Sequence, residues 1–330
     1  MKLTKKQVDK LNIELTMHVE AADYAETERK KLAEVRRNAD FKGFRKGNVP
    51  MSLIQKVYGG QVLADAVNQV ISEGLNKFIE DEKLHILGEP LGSENQPEVE
   101  WQSGNDFDFV FDIALSPEVK VDVVKEDSVP SYAISVSANE KADMAASMKK
   151  YYEGKKEEKS DADIEKEVEE RFEASNKDEA AWRLNKDIRD FYVAKAGIEL
   201  PEAFLRRWLL HANEGKVTEE QLEKEFPSFL EDFKWQLVRG YLMKKFGFEI
   251  TKQDIEEAAK AFVTYQYAMY GIGNVPEEMI AEAVKNVLND QKQIDRLAEQ
   301  VEDQKVLAKI KETITLKSKK ITSEKFRELK

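Results

Sequence analysis

The residues of this chain best suited to chemistry form a short loop, Phe41-Lys42-Gly43-Phe44-Arg45-Lys46-Gly47-Asn48-Val49-Pro50. An aromatic ring and two cations stand between two glycines. The glycines let the backbone turn with positive φ, and Pro50 sets where a following helix begins. The chemistry on offer is non-covalent. Arg45 suits bidentate contact with an anion, and Lys46 acts as a point charge. A Phe44 left in solvent needs a partner to cover it. Arg29, Lys30, Lys31, Arg36, Arg37 and Lys42 enlarge the local positive field, yet the whole chain carries a net charge of −12. A basic island in an acidic protein points to docking on a nucleic-acid-rich surface. Spacing alone leaves one alternative open, a tight turn whose Phe44 tucks into its own core.

Signals for bond-making chemistry are weak. Cysteine is absent, which excludes disulfides, thiolate metal sites and cysteine nucleophiles. His18, His85 and His211 lie far apart, outside any metal-ligand spacing, and read as structural. There is no phosphate-binding GxxxxGK[ST] loop and no Gly-x-Ser-x-Gly elbow. Gly271-Ile272-Gly273 lacks a third glycine and a preceding strand, so it reads as a helix-to-helix turn. Carboxylates are plentiful, but an acidic helical protein supplies accidental pairs everywhere. The expectation is no catalytic residue, no metal and no cofactor. No apolar run approaches the ~18 residues of a membrane span. Residues 1–19 alternate where a signal peptide would be solidly apolar, so a cytoplasmic location is expected.

The elements that must hold the loop follow from periodicity. Leu11, Ile13, Leu15, Met17 and Val19 alternate with polar residues and predict a strand with one buried face. Tyr24, Thr27, Lys31 and Val35 predict a helix, with Asp23 as its N-cap. After the loop a helix is predicted over about 52–82, bent or broken at Gly59-Gly60. Val99 and Trp101 fit another strand, and Phe107, Phe109, Phe111, Ile113 and Leu115 alternate in the next. Residues 1–116 thus read as strand–helix–helix–strands, a small α+β domain. Residues 117–138 read as an extended linker. Residues 139–330 read as an extended, mostly helical domain with arm-like helices near 161–196, 201–213, 218–246, 251–270, 276–290 and 291–315. Charged residues are 35% of the chain and hydrophobic ones 41%, which suits long helices with wide solvated faces. The charge-rich stretch 149–170 reads as a solvated helix or a flexible connector.

In the helix after Thr251, Ile255, Ala258, Ala259, Phe262 and Met269 form a stripe expected to pack inward. A second stripe is Val263, Tyr267 and Tyr270, extended past the turn by Ile272, Val275, Met279 and Ile280. A helix apolar on two sides is either buried between neighbours or offers one side to a ligand. Tyrosine and methionine are adaptable contacts.

The loop Gly43-Phe44-Arg45-Lys46-Gly47-Asn48-Val49-Pro50 resembles the G-F-R-x-G-x-x-P signature of trigger factors, the bacterial ribosome-associated chaperones. The likeness continues through Ile54-Gln55-Lys56-Val57-Tyr58-Gly59 and Ile86-Leu87-Gly88-Glu89-Pro90. It resumes at Ala196-Gly197-Ile198-Glu199-Leu200-Pro201 and again near Phe326-Arg327-Glu328-Leu329. The resemblance implies that Gly43, Phe44, Arg45, Lys46, Gly47 and Pro50 bind the large ribosomal subunit at the nascent-chain exit, on a ribosomal protein and nearby rRNA. It implies that the helical domain holds unfolded or nascent polypeptides without ATP, through Val263, Tyr267, Tyr270, Ile272, Val275, Met279 and Ile280 as a group. A typical member also carries an FKBP-like prolyl isomerase domain of roughly a hundred residues. No strand-rich block fits between 139 and 196, so that module, and with it the enzymatic activity, is not expected here. Two alternatives stand beside this reading: a prolyl isomerase, and a ribosome-free assembly or export chaperone that dimerises through its docking face.

Overall fold

The computed structural model describes residues 1–155, 157–213 and 215–329. The chain runs β1 (Lys2–Gln7), β2 (Asn12–Val19), α1 (Ala21–Asn38), α2 (Met51–Asp81), β3 (Leu91–Gly92), β4 (Phe107–Ala114) and β5 (Ser128–Ser135). Helices follow: α3 (Ala138–Lys155), α4 (Asp161–Ala196), α5 (Glu202–Ala212), α6 (Glu219–Phe246), α7 (Lys252–Met269), α8 (Glu277–Leu288) and α9 (Gln291–Thr313). The chain ends in β6 (Thr315–Thr322) and α10 (Ser323–Arg327). It is an α+β portion followed by a mostly helical one. Two compact units form, residues 1–118 with 199–230, and residues 119–198 with 231 onward.

In the first unit four strands make an antiparallel sheet in the order β1-β2-β4-β3. Ile13, Leu15, Met17 and Val19 of β2 are all buried, as the alternation requires. The register sets Ile13 opposite Ile113 and Val19 opposite Phe107. Leu63, Ala66, Val67, Ile71 and Phe78 of α2 close the core over that face, together with Tyr24. The helix is continuous through Gly59 and Gly60, because neither glycine takes a positive φ.

Two further local expectations are corrected, and one strand is new. Asp23 is not the N-cap of α1. That position is Glu20, and the two form a reciprocal capping box. Val99 and Trp101 do not form a strand, because the free edge of β4 is already occupied. Gln96 accepts from Val110 N–H at 2.8 Å and donates to the Asp108 carbonyl at 2.8 Å, so one side-chain amide replaces a strand there. Trp101 instead lays its ring 5.3 Å from Phe107. The edge strand β1 was not anticipated. All six of its residues are exposed, so no apolar alternation announces it, and backbone pairing to β2 defines it.

Residues 199–230, expected with the helical domain, group with this first unit. Arg207 donates to Asp112 Oδ2 at 2.7 Å and to the Gly92 carbonyl at 2.8 Å. The Trp208 ring lies where a Cβ on Gly88 would be, 2.7 Å away, so Gly88 is needed both for this approach and for its φ of +69°.

In the second unit β5 and β6 pair in parallel, and β5 packs on α4. Residues 128–135 are therefore a paired strand within the expected linker. Helices α7, α8 and α9 pack on one another. Thr251 and Asp254 cap α7 reciprocally, and Asp254 also holds Lys305 of α9 at 2.8 Å. Residues 149–170 fall into two packed helices, α3 and α4. Met148, Tyr152, Ile164 and Val168 form a small core between them, and Tyr152 donates to Glu167 at 2.8 Å. Lys156, in the middle of that stretch, lies outside the described residues.

Asp127 ties the start of β5 to its neighbours. Its carboxylate accepts from Tyr192 at 2.9 Å and from Lys195 at 2.6 Å, and its carbonyl accepts from Thr315 N–H at 2.9 Å. Burial pushes this carboxyl up, but bonds from Lys195, Val124 N–H and Tyr192 outweigh it and hold its pKa below the ordinary value. A depressed pKa stabilises the fold above about pH 3.9 and stops doing so as pH falls through the folded value. Asp127→Asn should therefore lower the thermal midpoint at pH 7, with the gap to the parent closing as pH drops below about 4. Calorimetry from pH 7 to pH 3 reads this, and a gap that widens on acidification would refute it.

Candidate functional site

The loop between α1 and α2 is firmly held at both ends. Leu32, Ala39, Val49, Ile54 and Val62 are buried together beneath it. Phe41 meets Tyr58 edge-on at 6.0 Å, and Arg36 donates from Nε to the Val49 carbonyl at 2.8 Å. Pro50 caps α2 with a φ of −57°, and its carbonyl accepts from Leu53 and Ile54 N–H.

Between these anchors the backbone makes two consecutive turns. Phe44 N–H donates to the Phe41 carbonyl at 3.0 Å, and Asn48 N–H donates to the Arg45 carbonyl at 2.9 Å. Gly43 and Gly47 are the third residue of each turn, with φ of +95° and +84°. That position of a type II-like turn demands a left-handed residue, which explains the four-residue glycine spacing. Where the two turns meet, Phe44 is left 43% exposed despite its size. Arg45 and Lys46 are exposed beside it. Among the described residues neither they nor Lys42 has a carboxylate within ion-pair reach. The alternative in which Phe44 folds into its own core is thereby excluded for this structure. A partly enclosed cleft of about 510 Å³ opens beside the loop between α1 and α2, lined in part by Lys31, Val35, Tyr58 and Asp65.

The second set of candidate residues is split by the packing of α7. Val263 is 3% exposed and, with Ala259, forms the face turned to α8 and α9, so it is not available to a ligand. Tyr267, Val275 and Ile280 are half-buried. Tyr270 is 83% exposed, and Ile272 and Met279 are about half exposed. Met269, expected inside, is 70% exposed. The outer face of α7 was missed: Ala261, Thr264, Tyr265 and Ala268 line a shallow groove of about 540 Å³, with Glu257 and Lys260 at its end. The i, i+3, i+4, i+7 spacing of those four was the available signal. Trp182 on α4 is a further exposed aromatic that the sequence reading passed over. Among the described residues no group of three or more His, Cys, Asp or Glu comes together as a metal site, and no helix is long and apolar enough to cross a membrane.

Family models match both parts of the chain. "Bacterial trigger factor protein (TF)" matches residues 1–151, which contain the loop, and "Probable trigger factor, C-terminal domain" matches 180–330. The chain belongs to the trigger factor family. It is 31% identical to the trigger factor of Geobacter sp. (strain M21) over 132 residues, which are 38% of this chain and 29% of that one. It is 29% identical to the trigger factor of Aliivibrio fischeri (strain ATCC 700601 / ES114) over 150 residues, 46% of this chain and 34% of that one. The chain thus spans about a third of the length of the curated trigger factors it matches. Its fold is similar to a solved structure described as "Promiscuous Substrate Recognition in Folding and Assembly Activities of the Trigger Factor Chaperone". The TM-score is 0.56 at 11% identity, over 94% of this chain and 99% of that one. Only residues 152–179 lie between the two trigger factor matches, and those described are mostly helical. A separate domain of at least ~50 residues does not fit there.

A Cβ on Gly47 would meet nothing within 4 Å, so only backbone strain opposes a substitution. Gly47→Ala should cost about 1–2 kcal/mol in the local turn. Tryptic cleavage after Arg45 and Lys46 should quicken severalfold, and an unchanged cleavage rate would show that the turn tolerates an ordinary residue.

Proposed function

We propose that this chain is an ATP-independent chaperone of the cytoplasm that docks on the large ribosomal subunit near the nascent-chain exit. Residues 1–116 serve as the docking domain, and the helices beyond 139 shield emerging unfolded polypeptides. The observation that carries this reading is the exposed Phe44 between unpaired cations on a loop with buried ends. Phe44 inserts against an apolar spot on an exit-site ribosomal protein, while Arg45 and Lys46 engage rRNA phosphates. Gly43, Gly47 and Pro50 shape the loop and need make no contact themselves. The net charge of −12 opposes any wider approach of the chain to RNA and so confines contact to the basic tip.

No chemical step is required. Tyr265, Met269, Tyr270, Ile272 and Met279 present separate apolar contacts among charges, a surface that meets many clients weakly. Tyr267, Val275 and Ile280 support it from half-buried positions. Val263 is left out because it is buried.

Replacing Phe44, Arg45 and Lys46 with Ala should abolish co-sedimentation with ribosomes and leave circular dichroism unchanged. Retained binding would sink the docking proposal. Mass measurement at several concentrations, without ribosomes, distinguishes a dimer formed through the same face.

For the client surface, Tyr265, Met269, Tyr270 and Met279 replaced together by Ser should leave the helical spectrum intact. Severalfold more protein should then be needed to suppress aggregation of an unfolded test protein. Equal potency would remove this surface from the mechanism. Acceleration of a proline-limited refolding reaction by the parent chain would favour an enzymatic role instead.

A further inference from the structure

Strand β6 has one edge that no part of the described protein covers. It pairs with β5 alone, from Ser128 opposite Thr315 to Ser135 opposite Thr322. Thr315 N–H donates across that ladder to the Asp127 carbonyl at 2.9 Å. Bonded residues alternate in a parallel pair, so residues 315, 317, 319 and 321 direct their backbone groups at β5. Leu316, Ser318 and Lys320 direct theirs outward. Pro130 on β5 obeys the same alternation, because its missing N–H falls on the side away from β6. Seven of the eight residues of β6 are exposed. Among the described residues no backbone group outside the sheet bonds to the outward side.

The charge on this edge is as specific as its geometry. Lys317, Lys319 and Lys320 lie on the strand, and none has an ion-pair partner among the described residues. They stand in a chain whose net charge is −12. Lysines on an edge oppose self-pairing, since two copies of β6 side by side would set cation against cation. The same lysines favour a strand of opposite sign. RNA would satisfy the charges, but it has no alternating N–H and C=O groups to fill a strand edge. The open ladder and the cations together select a polypeptide.

We propose that β6 captures an extended acidic polypeptide segment as a third strand, with Asp or Glu on alternate residues facing Lys317 and Lys319. Backbone bonds to Leu316, Ser318 and Lys320 supply register, and the lysines supply selectivity. This strand shares no residue with the loop at 41–50 or with the client residues of α7 and α8, so its test does not depend on the function of either.

The test uses the full chain and a fluorescein-labelled eight-residue peptide in which Asp or Glu alternates with Val or Thr, followed by anisotropy. The expected result is saturable binding, weakened about tenfold when Lys317, Lys319 and Lys320 are all changed to Gln. The same peptide N-methylated on alternate residues keeps its charge but loses one row of donors, and it should bind at least about tenfold more weakly. This comparison leaves the protein untouched, so misfolding of a variant does not confuse it. Three results would overturn the proposal: no binding of the parent peptide, equal binding of the N-methylated peptide, or displacement by oligouridine at equal concentration.

Discussion

Exposing an aromatic ring to water is unfavourable, and the ring stays there when the backbone gives it no route into the core. Here Ala39 and Val49 are buried on either side of the loop, Arg36 holds the Val49 carbonyl, and Pro50 starts α2. Between those anchors the chain from Asp40 through Asn48 makes two turns in series, each with a left-handed glycine at its third position. Phe44 sits where the first turn ends and the second begins, and that geometry directs it away from the core. The docking role proposed for this family member rests on that constraint more than on the presence of Phe, Arg and Lys as such.

The helical part works by a different principle. Its helices are held at their ends by reciprocal caps and by ion pairs between neighbours, such as Thr251 with Asp254 and Asp254 with Lys305. Trp235 and Arg239 of α6 both reach Asp303 of α9, Trp235 at 2.7 Å. These polar contacts add to an apolar core that includes Val238 and Leu242 of α6, Val263 of α7 and Val306 and Ile310 of α9. Tyr265, Met269, Tyr270 and Met279 lie outside that core and are exposed. The stretch between the two family matches is short, and its only elements among the described residues are the end of α3 and the first part of α4.

Much of this was legible along the chain. The alternation at Ile13, Leu15, Met17 and Val19 corresponds to β2 with those four residues buried. The helix expected over 161–196 is α4, bounded by Ser160 as N-cap and by Gly197 with φ of +58°. These signals are local: a period of two or 3.6 residues, a capping side chain, a glycine that stops a helix. Less legible was anything whose partner is distant. β1 and β6 carry no apolar rhythm and exist because β2 and β5 lie beside them. The strand expected at Val99 and Trp101 failed because the Gln96 amide took the hydrogen bonds it would have made.

The sequence by itself determined β2, β4, the long helices and the composition of the loop at 41–50, since each depends on residues within a few positions of one another. Tertiary structure alone decided which side of α7 faces its neighbours, that residues 199–230 join the first unit, and that β6 presents an open, lysine-bearing edge. A helix such as α7, apolar on two sides, has no internal preference between them. Only the neighbours that arrive on one side, here α8 and α9, make Val263 core and leave Tyr265 in solvent.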